Sequence, residues 1–296
     1  MTTSPQTPPA WNQSPSQVLS FASLDPERRL SLPSGRFTTP GGISSLLLGL
    51  VYMGILYGVG WTIQSTVFGE NMWEYLTGFS GIPIPIFLLS CWSAAILTIK
   101  AAKIRAQRSA LRLRFMLGDS GFVLSVATVD RVIDSIEKGV DEPHHFLLLD
   151  RVLTALKSIR NIGRIGDLDE MLNSAAEADE DAMDSGYTVI RGFIWAIPVL
   201  GFIGTIVGLT EAISGFGAVL QASDATVDIL TSSLTEVIAG LDTAFITTGE
   251  GLIAALLLHL SLTFVRRSDE RLLDDCRQYA ARNITAHVRI TPGSSI

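Results

Sequence analysis

Four windows of about 20 predominantly apolar residues, near 43–66, 82–99, 192–215 and 237–265, leave this chain few ways to fold. A helix of that length crosses about 30 Å of hydrocarbon. Inside a bilayer every backbone N–H and C=O must be bonded within the protein, so the windows predict four transmembrane helices. Composition agrees: 47% of residues are hydrophobic, 17% are charged and the mean hydropathy is +0.37, which is not the balance of a soluble domain. No stretch alternates as a strand would. The expected fold class is therefore all-α, a polytopic membrane protein with four transmembrane helices and cytoplasmic helical extensions.

Orientation follows from the basic residues, because cytoplasmic loops retain Lys and Arg. Of the 22, three precede the first span (Arg28, Arg29, Arg36), thirteen lie between Lys100 and Arg191, and six between Arg266 and Arg289. The loops 67–81 and 216–236 have none and carry Glu70, Glu74, Asp224, Asp228 and Glu236 instead. Both termini and the middle segment are thus expected in the cytoplasm. The domain reading is a disordered cytoplasmic tail over 1–42, a peripheral hairpin over 43–99, a cytoplasmic helical segment over 100–190, a second pair of spans over 191–265 and a cytoplasmic C-terminal tail over 266–296. The net charge of −7 sums over two sides of a membrane and argues only against nucleic acid as a ligand. Cys91 falls inside a span and Cys276 outside one, which excludes a disulfide framework.

Residues 1–42 are rich in Pro, Ser and Thr and contain no secretory signal pattern. The outer turn of the first hairpin carries Trp73 and Tyr75, suited to headgroup anchoring or to packing within the loop. Pro83 and Pro85 stand at the start of the second span, where a missing amide donor costs least. The pattern over 100–137 is amphipathic and basic at its start, GDSG at 118–121 and GVDEPHH at 139–145 read as turns, a helix is expected over 146–160, and an acidic helix leads into the third span. His144 and His145 have no second ligand cluster beside them and read as an exposed turn rather than a metal site.

The last two spans are unusually polar. In the third, Gly201, Gly204, Thr205, Gly208, Glu211, Ala212 and Gly215 recur at intervals of three and four, placing small residues on one face where another backbone can approach. The fourth has a companion stripe of Gly240, Thr243, Thr247, Glu250 or Gly251, and Ala254. Close packing accounts for Gly201, Gly204, Gly208 and Gly251. The two spans run in opposite directions, so the fixed rise per residue sets Thr205 at the depth of Thr248. Glu250 lies near the middle of its span, where a carboxylate should face protein or water. It is either a proton or ion site, or a protonated carboxyl held by threonine hydroxyls with no transport role. Asp242, nearer the outer surface, would be a mouth carboxylate.

GFIGTIVGL at 201–209 and AFITTGEGLIAAL at 244–256 resemble the paired pore-helix motifs of the MotA/TolQ/ExbB proton channel family, the larger subunits of ion-driven membrane motors. The resemblance covers about 187–275 closely and the remainder through topology. It implies that Thr205 and Thr248 match the pore-lining threonines of the ExbB and TolQ type. It further implies a homo-pentamer around two copies of a single-span partner similar to ExbD, TolR or MotB, whose membrane helix carries the essential aspartate. The transported ion would be H⁺ or Na⁺, with no cofactor, and the site a bacterial inner membrane. Two departures stand out: Thr243, preceded by Asp242, occupies a position where ExbB-type proteins often have glutamate, and Glu250 falls where an apolar residue is usual. The expected ion pathway is Thr205, Thr248, Glu250, Thr247, Thr243 and Asp242. The alternative is a non-conducting four-span scaffold. An enzyme is not expected, since no nucleophile and base pair or metal cluster emerges.

Overall fold

The computed structural model describes residues 19–29, 32–63, 81–111, 126–162, 166–221 and 227–284. Trp73 and Tyr75, the GDSG turn and residues 1–18 lie outside them. In chain order the helices are α1 (Phe21–Leu24), α2 (Pro26–Arg29), α3 (Gly42–Ile63), α4 (Pro83–Ala110), α5 (Val126–Gly139), α6 (Leu147–Ile162), α7 (Gly166–Ser185), α8 (Thr188–Gln221) and α9 (Val227–Asn283). Four of these, α3, α4, α8 and α9, are long and apolar enough to cross a membrane. The molecule is an all-α polytopic membrane protein.

Two compact units emerge. One holds residues 41–99 and 186–266, the other 1–40, 100–185 and 267–296. In the first unit, α3 meets α4 through Gly49, where an added Cβ would come 2.8 Å from the Trp92 Cα. Trp92 donates its indole N–H to the Ser45 hydroxyl at 3.2 Å, and Tyr52 and Thr98 share a hydrogen bond of 3.1 Å, so two pairs of polar side chains bond across this hairpin. Trp92 also packs on Phe193 of α8, ring centroids 4.9 Å apart. Pro83 is the first residue of α4, where its missing N–H breaks no ladder bond. Pro198 lies inside α8 without ending it, as membrane helices allow when surrounding groups re-satisfy the freed carbonyl.

The second unit is built on α6, whose Leu148, Leu149, Val152, Leu153 and Leu156 are buried with Ile136 of α5 and Phe146. Arg151 pairs with Asp179 of α7 at 2.5 Å, and Arg277 of α9 with Glu180 at 2.8 Å. Among the described residues the strands are a two-residue parallel bridge, β1 (Leu19–Ser20) on β2 (Val140–Asp141). One reading is corrected. The tail over 1–42 is not disordered along its length: residues 19–29 and 32–40 are folded, with Phe21, Asp25, Glu27 and Thr38 buried. Composition signalled a solvated leader because Glu27 finds its cation, Lys103, far along the chain in α4. The last span continues in the same helix, α9, which runs 57 residues into the region read as the C-terminal tail.

Candidate functional site

The seam between α8 and α9 is made by missing side chains. A Cβ on Gly201 would come 2.8 Å from the Thr247 carbonyl oxygen, one on Gly208 2.5 Å from the Gly240 oxygen, one on Gly240 2.6 Å from the Gly208 oxygen, and one on Gly251 3.0 Å from the Ile197 oxygen. Gly204 leaves room for the Thr247 side chain itself. With backbones this close, hydroxyls of one helix reach carbonyls of the other.

Thr205 and Thr248 do so reciprocally. Thr205 Oγ1 lies 3.2 Å from the carbonyl oxygen of Ala244, Thr248 Oγ1 lies 3.1 Å from that of Gly201, and the two hydroxyls bond each other directly. Thr248 also reaches Ala244 O in its own helix at 3.1 Å, and Thr205 reaches Gly201 O at 3.5 Å. Each hydroxyl has one proton and two lone pairs. Between them the pair has two protons: one spans the two oxygens, and the other goes to a carbonyl. Lone pairs remain on both oxygens, and both side chains are half-buried, so a water, a hydronium or a partner's carboxyl has acceptors to bind.

The remaining expected residues divide. Thr247 is buried and returns its hydroxyl to Thr243 O at 2.9 Å and Ala244 O at 3.3 Å, which makes it a packing residue with no donor to spare. Thr243 donates to Ala239 O of its own helix at 3.0 Å. Asp242 and Glu211 are exposed and take no part in the seam. Glu250 is half-buried, and its Oε2 is buried with no hydrogen-bond partner among the described residues. It stands within electrostatic reach of Tyr57 of α3. Sequence reasoning did not single out Tyr57, which is a polar ring in an apolar span and carried that signal only by its type. The two carbonyl acceptors, Gly201 O and Ala244 O, had no signal at all, because which helical carbonyl accepts a second bond from a neighbouring helix is set by packing.

Among comparisons with known proteins, the MotA/TolQ/ExbB proton channel family matches residues 148–278, a segment that contains all of α8 and the seam-forming part of α9. No curated protein and no solved structure matches the chain.

Proposed function

We propose that a chain whose residues 148–278 are of the MotA/TolQ/ExbB type is the large subunit of an ion-driven motor complex. It conducts H⁺ or Na⁺ at the interface with a single-span partner and turns ion flow into mechanical work. The observation that carries this reading is the Thr205–Thr248 pair: two hydroxyls bonded across close-packed apolar helices, with acceptor lone pairs left over. Such groups hydrate a moving ion without holding it as a fixed charge would. In this reading the partner's aspartate exchanges the proton or ion against that pair, Glu250 tunes the field, and Thr243 and Asp242 lie toward the outer mouth. No covalent chemistry and no cofactor are required, so the protein acts as a channel subunit and not as an enzyme.

The assembly that fits is five copies of this chain around two of the partner. The unusual number of large apolar side chains left exposed by one copy, Trp195, Phe202, Ile213, Phe245 and Phe264 among them, supports contact with lipid and with neighbouring copies. The distribution of Lys and Arg supports a bacterial inner membrane location with both termini cytoplasmic.

The test is co-expression with the genomic neighbours, native mass of the purified complex, and ion flux after reconstitution. A five-to-two complex in which Thr248→Val assembles but conducts at least about tenfold less is the expected result. A homo-oligomer with no single-span partner and no flux would favour the scaffold, in which the threonine pair only clasps two helices.

A further inference from the structure

Two lysines of α4, Lys100 and Lys103, have side chains with 0% exposure, and each faces a carboxylate with 2% exposure. Ammonium groups so enclosed are tolerated only when paired and fully hydrogen-bonded. Lys100 donates to Asp269 of α9 at 3.1 Å, and Asp269 also accepts from the Thr38 hydroxyl at 3.3 Å. Lys103 pairs with Glu27 at 2.5 Å and donates to Ser34 Oγ at 2.9 Å, Gly35 O at 3.1 Å and Thr39 O at 2.8 Å. The four partners of Lys103 among the described residues come from the segment that precedes the first span. That segment is ordered internally by the same carboxylates: Ser34 donates to Asp25 Oδ2 at 2.5 Å, and Gly35 N to Glu27 Oε2 at 3.3 Å.

Its other attachments centre on an aromatic anchor, beside the pairing of β1 with β2 and the Ser20–Asp141 hydrogen bond of 3.2 Å. Phe21, 1% exposed, packs edge-on against Phe146 with centroids 5.2 Å apart and beside His145 at 5.3 Å, while Arg28 pairs with Glu142 and bonds to His145 Nε2 at 2.8 Å. Gln107 of α4 fixes the same turn, donating to His145 O at 2.8 Å and accepting from Leu147 N at 2.9 Å. The segment therefore touches α4 through Lys103, α9 through Asp269, β2 and the turn before α6 through Leu19, Ser20, Phe21 and Arg28, and α6 through Arg36, which pairs with Asp150 at 3.6 Å.

We propose that residues 19–29 and 32–40 form a detachable strap that pins the continuation of α4 to that of α9 beyond their apolar stretches, and so restrains the motion of the helix that carries Thr248. Its bonds are suited to a two-state contact. Buried ion pairs demand one geometry yet add little net stability over an apolar contact, and one phenylalanine supplies most of the hydrophobic hold. When the strap leaves, Lys103 loses these four partners and must be rehydrated, which admits water between the helix continuations. The inference concerns motion and does not depend on the chain conducting ions.

Hydrogen exchange of the full chain in lipid nanodiscs tests it, comparing the wild type with Phe21→Ser, which removes the ring packed on His145 and Phe146, and with Lys103→Met. The expected result in both variants is exchange accelerated by about tenfold or more in the strap and in residues 267–282 of α9, with 200–215 of α8 unchanged. Loosening of the strap while 267–282 keeps its wild-type protection would overturn the proposal, because the strap would then restrain nothing. So would unchanged exchange everywhere. Accelerated exchange across 200–215 as well would show an inseparable part of the fold, and the detachable strap would be abandoned.

Discussion

Gly208 and Gly58 are the same residue in equally apolar helices and differ in what stands opposite. A methyl group on Gly208 would meet the Gly240 oxygen and the Ala244 amide nitrogen at 2.5 and 2.8 Å, whereas one on Gly58 would meet nothing within 4 Å. Gly208→Ala is therefore expected to force the α8–α9 seam apart and to destabilise by about 1–3 kcal/mol. Gly58→Ala should lie within about 0.5 kcal/mol of wild type or be slightly stabilising, and denaturation in detergent monitored by circular dichroism reads both. Equal effects at the two sites would remove the seam from the list of what holds this protein together. Lys100 makes a parallel case among charges. Lys100→Met alone leaves Asp269 buried against a methyl group and should cost about 3–5 kcal/mol, while Lys100→Met with Asp269→Leu should recover most of that loss. Failure of the second change to rescue the first would mean that the pair holds the site by its remaining hydrogen bonds rather than by charge compensation.

Between elements, the Thr205–Thr248 contact joins α8 to α9, and its two members act as one unit. Thr205→Val and Thr248→Val should each lower stability by about 0.6–2 kcal/mol, and the double variant should fall well short of their sum, since removing either hydroxyl already breaks the shared bond. Strict additivity would show the two hydroxyls to be independent. The far end of α9 offers a second reading of element docking. Cys276 is buried beside Leu272, Leu273 and Ala280, and burial pushes its thiol up to about 12; Arg151 opposes the shift, and Asp179 and Asp275 add to it. A raised thiol pKa keeps the unreactive protonated form in place as pH rises through 7 to 9, up to about 12. Iodoacetamide at pH 8 is expected to spare Cys276 in the folded protein and to modify it fully in denaturant. Labelling of the native chain at the rate of a free thiol would show that this end of α9 is not docked on α6 and α7.

At the scale of the whole molecule, the charge asymmetry of the loops makes its own prediction. Alkaline phosphatase fused after Tyr75 should be active and a fusion after Arg289 inactive, with a fluorescent protein giving the opposite pattern; the reverse result would invert the orientation. Four apolar helices and the class of the fold were legible in the chain because hydrocarbon admits only internally bonded backbone, a demand written in length and apolarity alone. The small-residue stripe was legible too, since a helix repeats every few residues and Gly201, Gly204 and Gly208 keep that period. Partner choice was not. Thr243 and Glu211 share the period of their stripes, yet Thr243 turns its hydroxyl to its own helix and Glu211 is exposed, because helical spacing places a residue on a face about 100° wide and does not say where the neighbouring helix ends. The folded strap was invisible for a different reason. Glu27 and Lys103, like Lys100 and Asp269, read as surface charges by composition, and only the tertiary structure, by burying both members of each pair together, makes them interior residues. Sequence by itself determined what each helix must be to live in a bilayer; which polar atoms meet was decided by packing, since a hydrogen bond or ion pair depends on distances of a few ångströms between residues far apart in the chain.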